Sequence, residues 1–378
     1  MKQFSTAYTR KDKIEFIIDD DAEMRWIGRF PLSQQRIFAV MDSGVEHPWG
    51  ALLRKRLAEK GKELFFFLVD ARESSKSLSF YPQLVDFLEQ HRCNLGDLVM
   101  AIGGGVVIDL VSFTASTYMR GLPFVAIPTT LIGQIDAATA GKTCLNTAHG
   151  KNVLGTFYYP LVSYSNIHFL KTNSAYYLRQ GYAEAFKYGL LGSPQLVSLI
   201  ERHGLQPADG PLMEIMKLAM ETRIRIRKRH PLASNLGHTF GHALEKMSGF
   251  AMLHGDAISA GTAVAMHFAE QQGIMKREER LRIMGMMKGI GLNMYIDQRT
   301  DPDQWVDLMM RDKKATAAEI GLVLIRGVGK PYEKEGKAFY PVQPGALRSF
   351  LKEFIKKYPY AVPHCAAFLR NERIAYRG

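Results

Sequence analysis

A chain of 378 residues with 47% apolar side chains is long enough for two domains, each with its own core. Its 49 lysines and arginines against 37 acids leave a formal charge of +12, which predicts cations gathered for an anionic small molecule, since the one dense basic run, Arg223–His230, is too short for a nucleic-acid face. No apolar run approaches the roughly 18 residues of a membrane span, the N-terminal MKQFSTAYTRKDK lacks a signal-peptide apolar region, and Cys93, Cys144 and Cys365 show no metal or disulfide spacing, so a cytoplasmic protein with reduced thiols is expected.

In chain order, strands are predicted at Lys13–Asp19 and Arg36–Met41, the second running into the turn Asp42-Ser43-Gly44. A helix follows over His47–Lys60, stopped by Gly61. Leu64–Val69 is a continuous apolar run, as suits a sheet covered on both faces. Lys76–His91 reads as helix, Leu98–Ile102 as a buried strand, and Gly103, Gly104 and Gly105 as a turn that opens another helix. Phe124–Ile127 is the next strand. Strand alternating with helix is the pattern of a parallel sheet. Ligands of such sheets bind beyond the carboxyl ends of the strands, where Asp42 and the glycines fall. Glycine lets a phosphate approach the backbone, and a helix N-terminus offers it free N–H groups. After about Ser165 the period changes. Helices are predicted at Ala175–Leu191, Pro211–Arg227, His238–Met247 and Asp256–Gln272. A short strand pair returns at Ile320–Ile325 and Phe339–Val342, with a last helix at Ala346–Lys357. The expected fold is α/β: an N-terminal Rossmann-like parallel-sheet domain, 1–165, and a C-terminal mainly α-helical domain, 166–378.

The ordered set GGGVVIDL, TYMRG, PTTLIGQIDAATAGKT and GKN within Met100–Asn152 resembles the 3-dehydroquinate synthase superfamily, the sugar phosphate cyclases. GYAEAFKYG, NLGHTFGHALE and LHGDA extend the likeness over most of the chain. Two imidazoles and a carboxylate form a common catalytic zinc site with positions left open for substrate oxygens. His238 and His242, four apart, share a helix face. The resemblance implies Glu184, His238 and His254 as ligands of zinc or cobalt. It places His242 in proton transfer, with Asp136, Lys142, Lys187 and Asn235 at further catalytic positions. Arg120, Lys151, Asn152 and one of Lys313 or Lys314 match positions that hold the phosphate or the sugar hydroxyls. Asp42, Glu73, Lys76, Gly104, Gly105, Val106, Asp109, Thr129 and Thr130, together with Lys142 and Lys151, match the NAD-binding positions. Taken without the resemblance, Asp109 reads equally well as a first-turn helix acid, and the threonines as turn residues.

The reaction implied is a carbon–oxygen lyase step on a sugar phosphate: transient oxidation by NAD⁺, loss of phosphate, reduction, and aldol closure to a carbocycle. A homodimer, with no membrane or nucleic-acid partner, goes with it. The chain departs from dehydroquinate synthases at Arg223–Ser234, which is shorter, lacks an acidic pair, and puts Pro231 where the family's carboxylate-binding arginine stands. HGD at His254–Asp256 replaces the family's HGE. A diverged cyclase acting on a heptulose-type ketose phosphate is therefore expected ahead of dehydroquinate synthase proper. Two other readings are a metal-dependent polyol or glycerol-type dehydrogenase and a basic binding protein with a retired site.

Overall fold

The structure, a computed structural model, describes residues 14–28, 34, 36–59, 61–147, 150–205, 210–230, 232–311, 316, 318–336 and 338–358. The chain forms two compact units, Met1–Leu178 with Pro207–Met220, and Arg179–Gln206 with Glu221–Gly378. Pro231, Lys313 and Lys314 lie outside the described residues.

The first unit is built on a parallel six-stranded sheet. Its strands are β1 (Glu15–Asp19), β2 (Arg36–Asp42), β3 (Glu63–Val69), β4 (Leu98–Gly103), β5 (Phe124–Pro128) and, beyond a hairpin, β8 (Val162–Asn166). The hairpin is β6 (Leu145–Thr147) with β7 (Gly150–Leu154). The sheet order is β1-β8-β5-β4-β2-β3, every pairing parallel. Helices α1 (Arg25–Gly28), α2 (Ser43–Ala58), α3 (Tyr81–Gln90), α4 (Gly105–Thr117) and α5 (Leu131–Ile135) connect the strands. Phe38, Val40 and Val99 face a core shared with α3 and α4, while Ile37, Ala39 and Met100 face the core on the opposite side, shared with α2. The sheet is thus covered on both faces, which is why its strands read as apolar runs.

β8 escapes the sequence pattern because Ser163 and Ser165 alternate with its larger residues. Both serines are fully buried. α2 starts four residues before the predicted His47, because Asp42 caps it by accepting the Gly44 N–H. The cap outweighs Pro48, which removes a single helical hydrogen bond.

The second unit carries the rest of α6 (Ala175–Gly192) and α8 (Gly210–Arg229), with α7 (Pro194–His203), α9 (His238–Met247), α10 (His254–Gln271), α11 (Arg277–Gly289), α12 (Pro302–Met309) and α13 (Pro344–Lys357). Two small antiparallel pairs accompany them, β9 (Ile320–Leu322) with β12 (Tyr340–Val342) and β10 (Ile325–Gly327) with β11 (Lys330–Pro331). α9 and α10 pack backbone to backbone. A Cβ at Gly241 would lie 2.8 Å from the Ala257 carbonyl oxygen, and one at Gly261 would lie 2.2 Å from that of Gly237. No described helix is long and apolar enough to cross a membrane.

Candidate active site

In the first unit the strand order turns back between β2 and β4, so a crevice opens at their carboxyl ends. Asp42 closes β2 and Gly103 closes β4. A Cβ on Gly103 would come within 3.1 Å of the Asp42 Cβ and 2.7 Å of Val107. Gly104 is the N-cap of α4 and supplies no side-chain cap. The N–H groups of that first turn, Gly105 and Val106 included, are therefore open to an anion. Thr129 hydrogen-bonds through its N–H to the Gly103 carbonyl (2.9 Å), and Thr130 accepts the Gly133 N–H to start α5. These features fit a dinucleotide pyrophosphate. Burial raises the Asp42 carboxyl above its usual pKa.

Asp109 is not a first-turn acid. It lies in the second turn of α4 and accepts from Lys76 Nζ at 2.9 Å. Lys76 is 4% exposed, with Glu73 3.6 Å away on its other side. Burial alone would lower the Lys76 pKa, but Asp109 first and then Glu73 outweigh it and hold the ammonium well above its usual value. Glu73 Oε1 also lies 3.8 Å from Lys151 Nζ and accepts from Asn146 Nδ2 at 2.7 Å. The Asn146 side-chain oxygen accepts the N–H of Asn152, whose φ is +55°. Glu73, Lys76, Asp109, Lys151 and Asn152 therefore form one linked group, with Asn146 as a joint that sequence reasoning missed. Lys142 is half-buried and bridges through its backbone to Phe157, next to Gly141 at φ +57°. Asp136 is half-buried at the end of α5. Arg120 is exposed on a left-handed turn, and no hydrogen bond or ion pair among the described residues ties it to this group.

In the second unit α6, α9 and α10 bring Glu184, His238 and His254 together, with one donor atom of each within 4.8 Å of the others. Glu184 is fully buried, and its Oε1 lies 3.8 Å from His238 Nε2 and 3.6 Å from His254 Nε2. His238 Nδ1 bonds the Leu236 carbonyl (3.1 Å), and His254 Nδ1 faces Glu245 Oε2 (3.4 Å), so each ring turns Nε2 toward Glu184. Burial, reinforced by Lys187, pushes the His238 pKa well below its usual value and keeps a lone pair available. Burial would lower His254 too, but the carboxylates of Glu245 and Glu184 carry it up to about 9. Two imidazole nitrogens and a carboxylate oxygen at these separations suit zinc or cobalt, so the donor set fits a divalent ion.

Lys187, one turn after Glu184, donates to Glu184 Oε2, and its ammonium sits 4.1 Å from the centre of the Tyr188 ring. His242 lies beside both histidines of the cluster, with ring centroids 5.1 Å from His238 and 5.8 Å from His254. Asn235 stands three residues before His238, and its amide nitrogen is buried with no hydrogen-bond partner among the described residues. A buried amide left unmet in this way calls for a partner.

Further contacts hold this site. Arg179 forks onto Asp256 (3.0 and 3.3 Å), tying α6 to α10. Asp256 thus makes a specific ion pair in the HGD motif. Arg223 is buried and donates to the Tyr188 hydroxyl (3.2 Å). Glu245 continues the His238, His242 face at the i, i+4, i+7 spacing, a signal present in the sequence. The Arg179–Asp256 and Arg223–Tyr188 pairings left none.

A parallel sheet with a glycine turn at its reversal, and a buried His₂Glu cluster on helices, define a class of two-unit α/β enzymes built for a dinucleotide and a divalent metal. Comparison with known proteins makes the class specific. The 3-dehydroquinate synthase N-terminal pattern matches residues 66–180, and the 3-dehydroquinate synthase C-terminal pattern matches 181–315. The chain belongs to the 3-dehydroquinate synthase family. It is 34% identical over 316 residues to a protein named 3-dehydroquinate synthase from Roseobacter denitrificans, covering 80% of this chain and 85% of the relative. It is also similar to the structure of a 2-epi-5-epi-valiolone synthase from Streptomyces hygroscopicus subsp. jinggangensis with NAD⁺ and Zn²⁺ bound. There the TM-score is 0.83 at 25% identity, covering 94% of this chain and 100% of the other. A 2-deoxy-scyllo-inosose synthase complexed with carbaglucose-6-phosphate, NAD⁺ and Co²⁺ shares the fold, with a TM-score of 0.81 at 21% identity over 89% of this chain and 96% of the other.

Proposed function

We infer that this chain is an NAD⁺- and divalent-metal-dependent sugar phosphate cyclase that prefers a ketose phosphate of the heptulose type with an uncharged C1 end. The observation that carries the cyclase reading is the buried Glu184–His238–His254 cluster with Lys187 against it. Glu184, His238 and His254 would hold zinc or cobalt. Gly104, Gly105 and Val106 would receive the pyrophosphate of NAD⁺, with Asp42, Glu73, Lys76, Asp109, Thr129 and Thr130 around the rest. When bound, NAD⁺ supplies a reversible hydride acceptor and the metal a Lewis acid at the substrate hydroxyls.

The chain's own side chains position and polarise. Arg120, Lys142, Lys151, Asn152 and Lys187, with Lys313 or Lys314, would hold the phosphate and hydroxyls. Transient oxidation of a hydroxyl to a ketone would acidify the neighbouring C–H. On its deprotonation the C–H electrons form a C=C bond while the C–O bond breaks and phosphate leaves with that C–O pair, and the ketone is then reduced back by the returned hydride. His242, Asp136 and the open Asn235 amide would handle protons and orient the ring-opened intermediate before the aldol closure. The reading includes a cytoplasmic homodimer, with the NAD domain over 1–165 and the metal and substrate domain over 166–378.

The uncharged end is supported by where the arginines go. Arg225 donates to the Gly192 carbonyl (2.8 Å) and the Thr222 hydroxyl (3.3 Å), and Arg223 to Tyr188. Each of these contacts engages one nitrogen of its guanidinium, and Pro231 cannot provide a bidentate carboxylate clamp. Dehydroquinate synthase proper is the second reading, favoured by the names of relatives at 33–34% identity. The test is competition between heptulosonate 7-phosphate and a neutral-ended heptulose 7-phosphate, scored as kcat/KM with released phosphate measured. Preference for the heptulosonate overturns the substrate assignment. Net NADH from a simple polyol without phosphate release would overturn the cyclase.

A further inference from the structure

We propose that Glu245 is a positioning residue for the metal: it holds the far nitrogen of His254 and so aims and strengthens the nitrogen that ligates. The inference rests on the reading of Glu184, His238 and His254 as the ligand set.

Glu245 is 2% exposed, and a carboxylate so deeply buried is costly unless partnered. Its Oε2 lies 3.4 Å from His254 Nδ1, while His254 Nε2 lies 3.6 Å from Glu184 Oε1. One imidazole therefore spans two carboxylates. A ligating nitrogen must carry its lone pair, so the ring proton belongs on the other nitrogen. A carboxylate there keeps the proton in place and makes the ring a better donor. His238 has a weaker version of the same support, since the neutral Leu236 carbonyl holds its Nδ1. The two ligands are thus supported unequally, and the charged support belongs to His254.

The chain between Glu245 and His254 is pinned as well. The Ser248 hydroxyl donates to the Glu245 carbonyl (2.8 Å) and accepts the Met252 N–H (3.1 Å), and the Phe250 N–H also bonds the Glu245 carbonyl (2.8 Å). This loop fixes where α10 begins, and His254 is its first residue. One competing arrangement exists. His242, Glu245 and His254 can also bring donor atoms within 4.8 Å of one another, which would make Glu245 a ligand of a second ion.

The experiment compares the full-length wild type with Glu245→Ala, Glu245→Gln and, as control, Glu184→Gln. Zinc per chain is measured by atomic emission after dialysis, and zinc affinity by competition with a chromophoric chelator. NAD⁺ binding and the thermal melt of the metal-free protein are followed alongside. The expected result is one zinc per chain in the wild type and an affinity lower by about 10- to 100-fold in Glu245→Ala. Glu245→Gln, which keeps an acceptor but loses the charge, should fall between, with NAD⁺ affinity unchanged. Should Glu245→Ala fail to fold, Glu245→Gln with a wild-type melt carries the test. Zinc affinity within twofold of wild type in a folded variant overturns the proposal. Two zincs per chain in the wild type, falling to one in Glu245→Ala, overturns it in favour of a ligand role. If Glu184→Gln keeps wild-type zinc affinity, the ligand set itself is wrong and the proposal falls with it.

Discussion

Removing Asp109 tests whether the charged group beside the glycine turn is a buried pair. Lys76 Nζ is 2.9 Å from Asp109 and 3.6 Å from Glu73, and its side chain is 4% exposed. At an effective dielectric of about 20 the closer contact alone is worth roughly 6 kcal/mol before desolvation is charged against it. Asp109→Ala leaves the ammonium buried with only the longer contact. Its cost has a ceiling, because Lys76 can shed its proton; from an unperturbed pKa of about 10.4, doing so at pH 7 takes roughly 4.6 kcal/mol. A loss of about 3–4 kcal/mol is expected. Lys76→Met leaves Asp109, which is nearer water and can hydrate, so about 1–2 kcal/mol is expected. The double change to Met and Leu should return most of the stability, because no unpaired charge remains. The Lys76 pKa is raised in the folded chain, so this support is complete below the unfolded value and lost only above the folded one. Between about pH 6 and 9 it should not vary. Hydrogen exchange of the Leu98–Thr117 segment in urea reports on this unit alone. An Asp109→Ala loss below about 1 kcal/mol, or one no larger than that of Lys76→Met, would refute the buried-pair argument.

His267 is held at about pKa 3 by burial, then by Arg280 and Lys357, and its Nε2 accepts from the Arg280 guanidinium at 3.3 Å. Below about pH 6.5 the unfolded chain takes up a proton that the folded chain refuses, so stability is full above that pH and falls toward pH 3, by about 2 kcal/mol at pH 5. His267→Phe should remove this component of the acid loss, and an equal fall in urea midpoint between pH 7.5 and 5 in both proteins would count against it. Arg179→Ala unties α6 from α10 and should weaken zinc binding by about tenfold while NAD⁺ binding holds; unchanged zinc affinity would deny the clamp a role in the site. Gly141→Ala puts a Cβ 1.8 Å from the Tyr159 ring at φ +57°. It should cost about 2–4 kcal/mol, partly restored by Tyr159→Ala, and a wild-type melt for the single variant would disprove the close approach.

The parallel sheet was legible because strands covered on both faces must be apolar throughout, as LVMAIG of β4 is. What stayed hidden followed from contacts the period does not encode. The helix predicted from Lys76 begins only at Tyr81, because the segment before it spends its backbone elsewhere. The Lys76 carbonyl accepts the Asn146 N–H, and Ser77 bridges to Asn146. Propensity over 76–80 gives way to a partner some seventy residues later.

His238 and His242 stood out because metal ligation restricts the residue type and a helix restricts the spacing, while Glu184 and His254 were marked only by the resemblance of their motifs to the family. The groups that hold them obey neither restriction. Arg179 finds Asp256, and Tyr188 finds Arg223, only after α6, α8 and α10 have packed. The glycines of NLGHTFGH stand between these cases. A Cβ on Gly237, at φ +75°, would strike Thr262 at 2.4 Å, and one on Gly241 would strike the backbone of Ala257. They let α9 touch α10 directly, and that contact sets how far His238 lies from His254. A helix pair kept apart by side chains would carry the same histidines too widely spaced to share an ion with Glu184. The glycines in that motif are therefore as much a part of the geometry of the Glu184–His238–His254 cluster as the histidines themselves.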